Sequence, residues 1–315
     1  MLPSKEISLY TIAKFTSPMG RSYRIDELKQ KLVEVLQDSK MGMSGIEISE
    51  KLDVSRITMT KYLKVLGAEG FLRQKIIGNT TLWFLELGQE TFSFPDDYFK
   101  VEPQYLDYLI KGSESQVYSL IKNCLYSNAS VYKLIIEVII PAIHSIQTLY
   151  DQGKIGNSEI KLLGNIISKS LQIFNQITVE SNPKKKIIVL SGDLESTLIS
   201  EAASASFYSA EWTVFHLGDM SSTINVLFDL DFQKLVSKIW KQKSGLLIVV
   251  VFSNINERLN FFADSINPIK EKMGKQMNLV LCGKMEKKAK LDCDLQTEKF
   301  EDVIHWSETV YENLK

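Results

Sequence analysis

The run Leu246–Phe252, LLIVVVF, constrains the fold more than any other stretch. It holds no polar side chain and is almost purely leucine or β-branched. Strands of a parallel sheet covered by helices on both faces have this composition, because neither face meets water. A strand wetted on one face would alternate apolar and polar residues instead. Around this run the sequence alternates strand and helix. Strands are predicted at 187–190, 212–217, 246–252 and 278–282, with a short edge strand at 294–298. Helices are predicted at 195–208, 223–241 (with a break at Asp229-Leu230-Asp231), 256–273 and 300–314.

Five strands with intervening helices imply a parallel, doubly wound sheet of flavodoxin-like type over 183–315. The 315 residues leave room for further cores. The expected architecture is multidomain, α and α/β: an N-terminal winged helix over 1–88, a linker over 89–112, a helical bundle over 113–182, then the sheet. The formal net charge of −1 means that any basic surface must be local. Cys124, Cys282 and Cys293 show no paired spacing, which argues against a disulfide framework or a zinc site. The three histidines, His144, His216 and His305, limit metal ligation and His-based catalysis. The opening MLPSKEISLY lacks the apolar core of a signal peptide. The apolar runs 131–146 and 246–252 are too short, or too interrupted by Lys133 and Glu137, to span a bilayer. A cytoplasmic protein without a membrane partner is expected.

In the N-terminal third, residues 1–20 are compatible with a strand or a helix, ended by Pro18-Met19-Gly20. Over 22–39, Ile25, Leu28, Leu32, Val35 and Leu36 fall on one helical face. Ser44 caps a short helix, with Glu47 at capping-box spacing. Asp53-Val54 turns the chain, Ser55 caps a second helix to about Ala68, and Gly70 lies just past its end. Two strands at 71–77 and 81–87 follow, joined by Gly78-Asn79-Thr80. Val54, Met59, Leu63 and Leu66 are placed in the core. That leaves Arg56, Thr58, Thr60, Lys61 and Lys64 outside, with Arg73 and Lys75 on the hairpin and Asn79 at its tip. Between Val54 and Leu82 the only acid is Glu69. Such side chains contact phosphates and base edges. The segment VSRITMTKYLKVLGAEGFL resembles the recognition region of winged-helix regulators of the ArsR and MarR type. That resemblance implies double-stranded DNA as a partner, with Ser55, Arg56, Thr58, Thr60, Lys61, Lys64, Arg73, Lys75 and Asn79 as candidate contacts. It also implies a homo-oligomer, since operators are commonly read by dimers.

The segment 88–103, with two prolines and no evident helical period, reads as a linker packing Phe92, Phe94, Tyr98 and Phe99 against a neighbour. A short helix is expected at 105–110. Helices at 115–126, 131–150 and 158–178, joined by short loops, make a small antiparallel bundle. Pro141 should kink the second of them. The stretch IIPAIHSIQTLYDQGKIGNSEIKLL resembles the helical cap that precedes cobalamin-binding domains, including those of MerR-group photoreceptor repressors. Pro141, Gly153, Ile155 and Glu159 keep its frame. Tyr150 stands where that family has a tryptophan over the corrin, and Ile160-Lys161 where it has Glu-His. His144 reads as a partly buried helix histidine.

The C-terminal segment likewise resembles the cobalamin-binding domain. Leu217-Gly218, Ser253 and Cys282-Gly283 match its frame. Aligning Gly192-Asp193 on the start of its first loop puts Glu195 in the place of the cobalt-binding histidine. It also puts Leu198 where a glycine makes room for the nucleotide tail. A carboxylate is a poor substitute for nitrogen ligation of cobalt. The expectation is therefore a DNA-binding transcription regulator, not an enzyme, whose sensor or dimerisation module has no cofactor. The alternative is a cobalamin-binding sensor or photoreceptor, holding cobalamin or another tetrapyrrole. A corrinoid-dependent methyl-transfer protein is a third reading. Candidate contacts for a small-molecule ligand are Tyr150, Lys161, Ser191, Asp193, Glu195, Gly218, Ser253 and Gly283. No metal-ligating or catalytic set is expected.

Overall fold

The computed structural model describes residues 25–37, 39, 42–85, 92–176, 179–224, 228–241, 244–284 and 291–314. The reading of residues 1–20 lies outside them. The chain divides into two compact units, Met1–Thr91 and Phe92–Lys315.

In the first unit, helix α1 (Ile25–Gln37) buries Leu28, Leu32, Val33 and Leu36, while Ile25 stays exposed. Strand β1 (Met43–Ser44) leads directly into α2 (Gly45–Lys51). The capping box is formed: the Glu47 amide donates to Ser44 Oγ at 3.2 Å, and the Ser44 amide to Glu47 Oε2 at 2.7 Å. Asp53, with φ of 51°, reverses the chain into α3 (Arg56–Ala68). There the Ser55 hydroxyl accepts from the Thr58 amide at 3.2 Å. Strands β2 (Leu72–Ile77) and β3 (Thr80–Leu85) form a hairpin around Gly78-Asn79. The sheet order is β1-β3-β2, antiparallel throughout. Met59, Leu63, Leu66, Trp83 and the α1 leucines make its core.

The second unit opens with α4 (Tyr98–Ile110), within the segment expected as a linker. Its buried residues Tyr98, Val101, Tyr105 and Leu109 do follow a helical period. Phe92, Phe94 and Tyr98 pack ring to tilted ring in sequence, whereas Phe99 is 71 % exposed and packs in no core. Helices α5 (Glu114–Tyr126), α6 (Val131–Leu134), α7 (Ile140–Asp151) and α8 (Asn157–Phe174) complete the helical layer. A π-helical turn, Ile135–Ile139, joins α6 to α7. Pro141, in the first turn of α7, has no amide hydrogen to donate into the preceding turn, which accounts for the irregularity there. The continuous stretch Val131–Asp151 is long and apolar enough to cross a membrane by length and composition. Here Leu134, Ile135, Val138, Ile139, Ile143 and Ile146 bury it in the protein core.

The sheet contains β4 (Asn182–Ser191), β5 (Trp212–Asp219), β6 (Leu246–Phe252), β7 (Met277–Cys282) and β8 (Leu295–Thr297). All neighbours pair in parallel, in the order β5-β4-β6-β7-β8. This is the 2-1-3-4-5 order of the flavodoxin-like fold. The crossovers are α9 (Thr197–Ser209), α10 (Phe228–Ile239) and α11 (Asn256–Met273), and α12 (Phe300–Glu312) ends the chain. Asp229 and Asp231, expected at a helix break, instead occupy the first turn of α10, where the helix dipole favours acids.

The two faces of β6 separate two cores. Leu246, Ile248, Val250 and Phe252 join the helical layer, α9 and α12. Leu247, Val249 and Val251 join α10 and α11. Helical layer and sheet thus share one continuous core. Helix α9 is sandwiched between them, which explains its small residues: Ala202, Ala203, Ser204, Ala205 and Ser206 are all buried.

Candidate functional site

The strand order reverses between β4 and β6, so the loops that follow these strands diverge and leave a crevice at the carboxyl edge of the sheet. Asp193 ties the two loops together. Its Oδ2 accepts from Ser253 Oγ at 2.5 Å and from the Asn254 amide at 2.8 Å, while Oδ1 accepts from the Ser196 amide at 2.8 Å. Arg258, on α11, donates Nη1 to the carbonyls of Gly192 at 3.0 Å and Ser221 at 3.2 Å. Gly283 has φ of 156°, and a Cβ there would lie 1.7 Å from the Ser253 carbonyl oxygen. Only glycine lets the β6 and β7 loops come this close.

Above this edge runs the segment around the π turn. Between them lies a cleft of about 470 Å³, within the size range of small-molecule sites. Ile136, Ile140 and Ile143 supply apolar wall from the helical side, joined by His144 and Gln147. Glu195, Asn254, Gly283 and Lys284 supply the polar edge of the sheet. The Cys282 thiol also borders the cleft. Burial pushes it up to about 12, helped by the negative charges of Asp302, Glu301 and Glu298, so it stays protonated and is a poor ligand or nucleophile.

The structure brings together some of the sequence-predicted cleft residues and disperses the others. Glu195 and Gly283 line the cleft. Asp193 and Ser253 lie just beneath it, bonded to each other. Ser191 is fully buried at the end of β4, with its hydroxyl 3.2 Å from Thr197 Oγ1. Gly218 sits in β5 with φ of 68° and has no atom near its Cβ position. Tyr150 donates its hydroxyl to Asn157 Oδ1 at 2.6 Å, and Lys161 is exposed on α8; neither lines the cleft. His144, expected to be partly buried, is exposed to the cleft. Ile140, Gln147, Asn254 and Lys284 also line the cleft and are not among the sequence-predicted contacts. The one available signal was that π-turn segment itself, an apolar run broken by Pro141 and His144. Leu198 turns toward Gly164 on α8, 3.5 Å from where a Cβ would stand, and packs with the helical layer. It therefore does not fill a slot under the sheet edge, as the alignment implied.

In the first unit, Arg56, Thr58, Thr60, Lys61 and Lys64 are all exposed on α3, and Arg73, Lys75 and Asn79 on the hairpin. Several are engaged locally. Ser55 Oγ donates to Thr58 Oγ1 at 2.8 Å, and Thr60 Oγ1 donates to the Arg56 carbonyl at 2.7 Å. Arg56 pairs with Glu50 at 3.0 Å, both side chains being 64 % exposed, so water screens the pair. The Arg73 guanidinium lies 5.3 Å from the Phe84 ring centre.

No family model matches the sequence, and no curated protein does. Among solved structures, the monomethylamine corrinoid protein of Methanosarcina barkeri is similar in fold. Its TM-score is 0.52 at 14 % identity, covering 67 % of this chain and 99 % of that one. A cobalamin-binding protein of Desulfitobacterium hafniense DCB-2 gives 0.34 at 13 % identity, covering 65 % and 96 %. The expectation of a module without a cofactor is thereby corrected. Over about two thirds of the chain the fold is similar to that of a corrinoid protein, and the cleft lies where a switch-point fold takes its ligand. The lining offers groups a corrinoid could use: apolar surface from Ile136, Ile140 and Ile143, amide, carboxylate and ammonium groups from Gln147, Asn254, Glu195 and Lys284, and the His144 imidazole.

Proposed function

We propose that the second unit is a corrinoid-binding module. The observation that carries this reading is the cleft, with a helical cap over the carboxyl edge of a flavodoxin-like sheet. Ile140 and Ile143 would lie against the apolar face of the macrocycle. Gln147, Asn254 and Glu195 would accept from or donate to its amide rim. A corrinoid held here would supply a cobalt centre able to carry a small group. Glu195 has no nitrogen to offer such a centre and Lys161 stands outside the cleft, whereas the His144 imidazole lines it. Protein incubated with hydroxocobalamin and passed through a desalting column should retain the visible corrin bands. His144→Ala should shift those bands, and Ile143→Asp should abolish retention. Wild-type protein emerging colourless would end this reading.

The first unit supports a second reading, that of a winged helix contacting double-stranded DNA. What favours it is the run of exposed cations on α3 and the hairpin, of which Arg56 pairs with Glu50. Together the two units would make a corrinoid-responsive regulator that binds DNA as a homodimer and catalyses no reaction of its own. Fluorescence anisotropy on a duplex of random sequence at several salt concentrations tests this. Replacing both Arg56 and Lys61 by alanine should flatten the salt slope by about 2, because each lost phosphate contact removes roughly 0.9. An unchanged slope and affinity would show that α3 does not face DNA.

A further inference from the structure

A second cavity, of about 360 Å³, lies between α8, α9 and the edge strand β5. It is separate from the cleft at the carboxyl edge and shares no lining residue with it. Leu171 and Val214 give it apolar surface. Its polar groups are Gln172, Asn175, Glu201, Ser204, Tyr208 and His216, with Ser168 beside Glu201. No Lys or Arg lines it among the described residues.

Counting protons shows what this wall presents. The Ser200 hydroxyl has one hydrogen, and it donates that to the Thr197 carbonyl at 2.7 Å. Ser200 Oγ also lies 3.1 Å from His216 Nε2, so here it must accept. The tautomer that suits this contact carries its proton on Nε2, and in it Nδ1 of the neutral ring is an acceptor. Ser204 likewise donates to the Ser200 carbonyl at 2.8 Å and keeps only its lone pairs. Glu201 adds a carboxylate whose one bonded partner in the wall is the Ser168 hydroxyl. Burial raises the proton affinity of Glu201 and lowers that of His216, though part of the His216 ring stays open to solvent. The wall thus combines a carboxyl group that has no Lys or Arg beside it in the lining with several neutral acceptors and apolar surface. A ligand that supplies N–H donors and a positive charge would satisfy them all, and water would satisfy them only in part.

We infer that this cavity is a binding site for a small organic cation, a primary ammonium with a short apolar tail. The ammonium is held by Glu201, His216 Nδ1 and Ser204, and the tail lies against Leu171 and Val214. The inference stands independently of the corrinoid and DNA readings. It is tested with full-length protein and n-butylammonium chloride, using saturation-transfer NMR, with n-butanol as the neutral isostere. Saturable transfer to butylammonium and none to butanol is the expected result. Glu201→Gln removes the charge but keeps the shape, and should weaken binding about tenfold or more, the worth of one charge-assisted hydrogen bond. If Glu201→Gln proves unfolded by circular dichroism, His216→Phe takes its place and should weaken binding severalfold. No transfer to wild type at millimolar butylammonium would overturn the inference. So would equal transfer to butanol, or unchanged affinity in a folded variant.

Discussion

Asp193→Ala will lower the stability of the second unit by about 3–5 kcal/mol. This is the range for removing one partner from a buried, charged hydrogen-bond network. The carboxylate is 6 % exposed and accepts from three donors on two loops. Alanine leaves Ser253 Oγ and the amides of Ser196 and Asn254 facing a space with no acceptor. Asp193→Asn separates the parts of this effect. The asparagine carbonyl can take over the Ser253 and Asn254 bonds, but the amide nitrogen cannot accept from Ser196. Its loss should be about half as large, near 2 kcal/mol. Urea unfolding followed by circular dichroism gives both values. A loss below about 1 kcal/mol for the alanine variant would mean that the latch between the loops contributes little. Because the latch also holds the floor of the cleft, cobalamin retention should fall in Asp193→Ala under conditions where it remains folded.

The second large effect is expected at Trp212, the first residue of β5. It is fully buried between Phe207 and Tyr311, with ring centres 5.4 and 6.2 Å away. Its indole N–H donates to Glu308 Oε1 at 2.5 Å, and Lys185 Nζ lies 2.8 Å from Glu308 Oε2. One side chain thus joins the edge strand, α9 and the last helix. Trp212→Ala should cost about 3–5 kcal/mol, the usual loss for a large aromatic in a core that cannot collapse fully. Trp212→Phe keeps most of the ring and loses the Glu308 bond, so about 1–2 kcal/mol is expected. Equal losses in the two variants would show that the hydrogen bond, and not the packing, dominates.

These two sites differ in how far the sequence discloses them. Trp212 is recognisable as core from its position at the start of a strand. Its tie to Glu308 is not, because 96 residues separate the partners. Asp193 looks like an ordinary acid near a helix start, a common and uninformative position. Only folding brings Ser253 and Asn254, about sixty residues on, against its carboxylate. Of the helix Tyr98–Ile110 only the part from 105 onward is expected from the sequence, for a related reason. Pro103 and the neighbouring proline and aspartates lower its local propensity, and burial outweighs that. The Tyr105 hydroxyl donates to Ser170 Oγ at 3.1 Å, and Tyr98 Oη accepts from the Ser130 amide at 2.9 Å. These distant partners hold α4 in a place where a linker was expected.

Short-range physics by itself determined a good deal of this protein. The composition of Leu246–Phe252 required a strand covered on both faces, and the observed strand has those bounds. The helix Asn256–Met273 likewise runs as its pattern predicts, and the Ser44–Glu47 box closes as its spacing requires. Each depends on contacts within a few residues or on one repeated periodicity. The tertiary structure alone decided which side chains share a cavity. It put His144 and Asn254 in one cleft, turned Leu198 up against Gly164, and left Tyr150 and Lys161 outside that cleft. It also set Glu201 and His216 into a cavity that no motif marks. A ligand site is assembled from loops and helix faces far apart in the chain. Its chemistry is fixed by the crossing of whole elements, which local pattern does not encode.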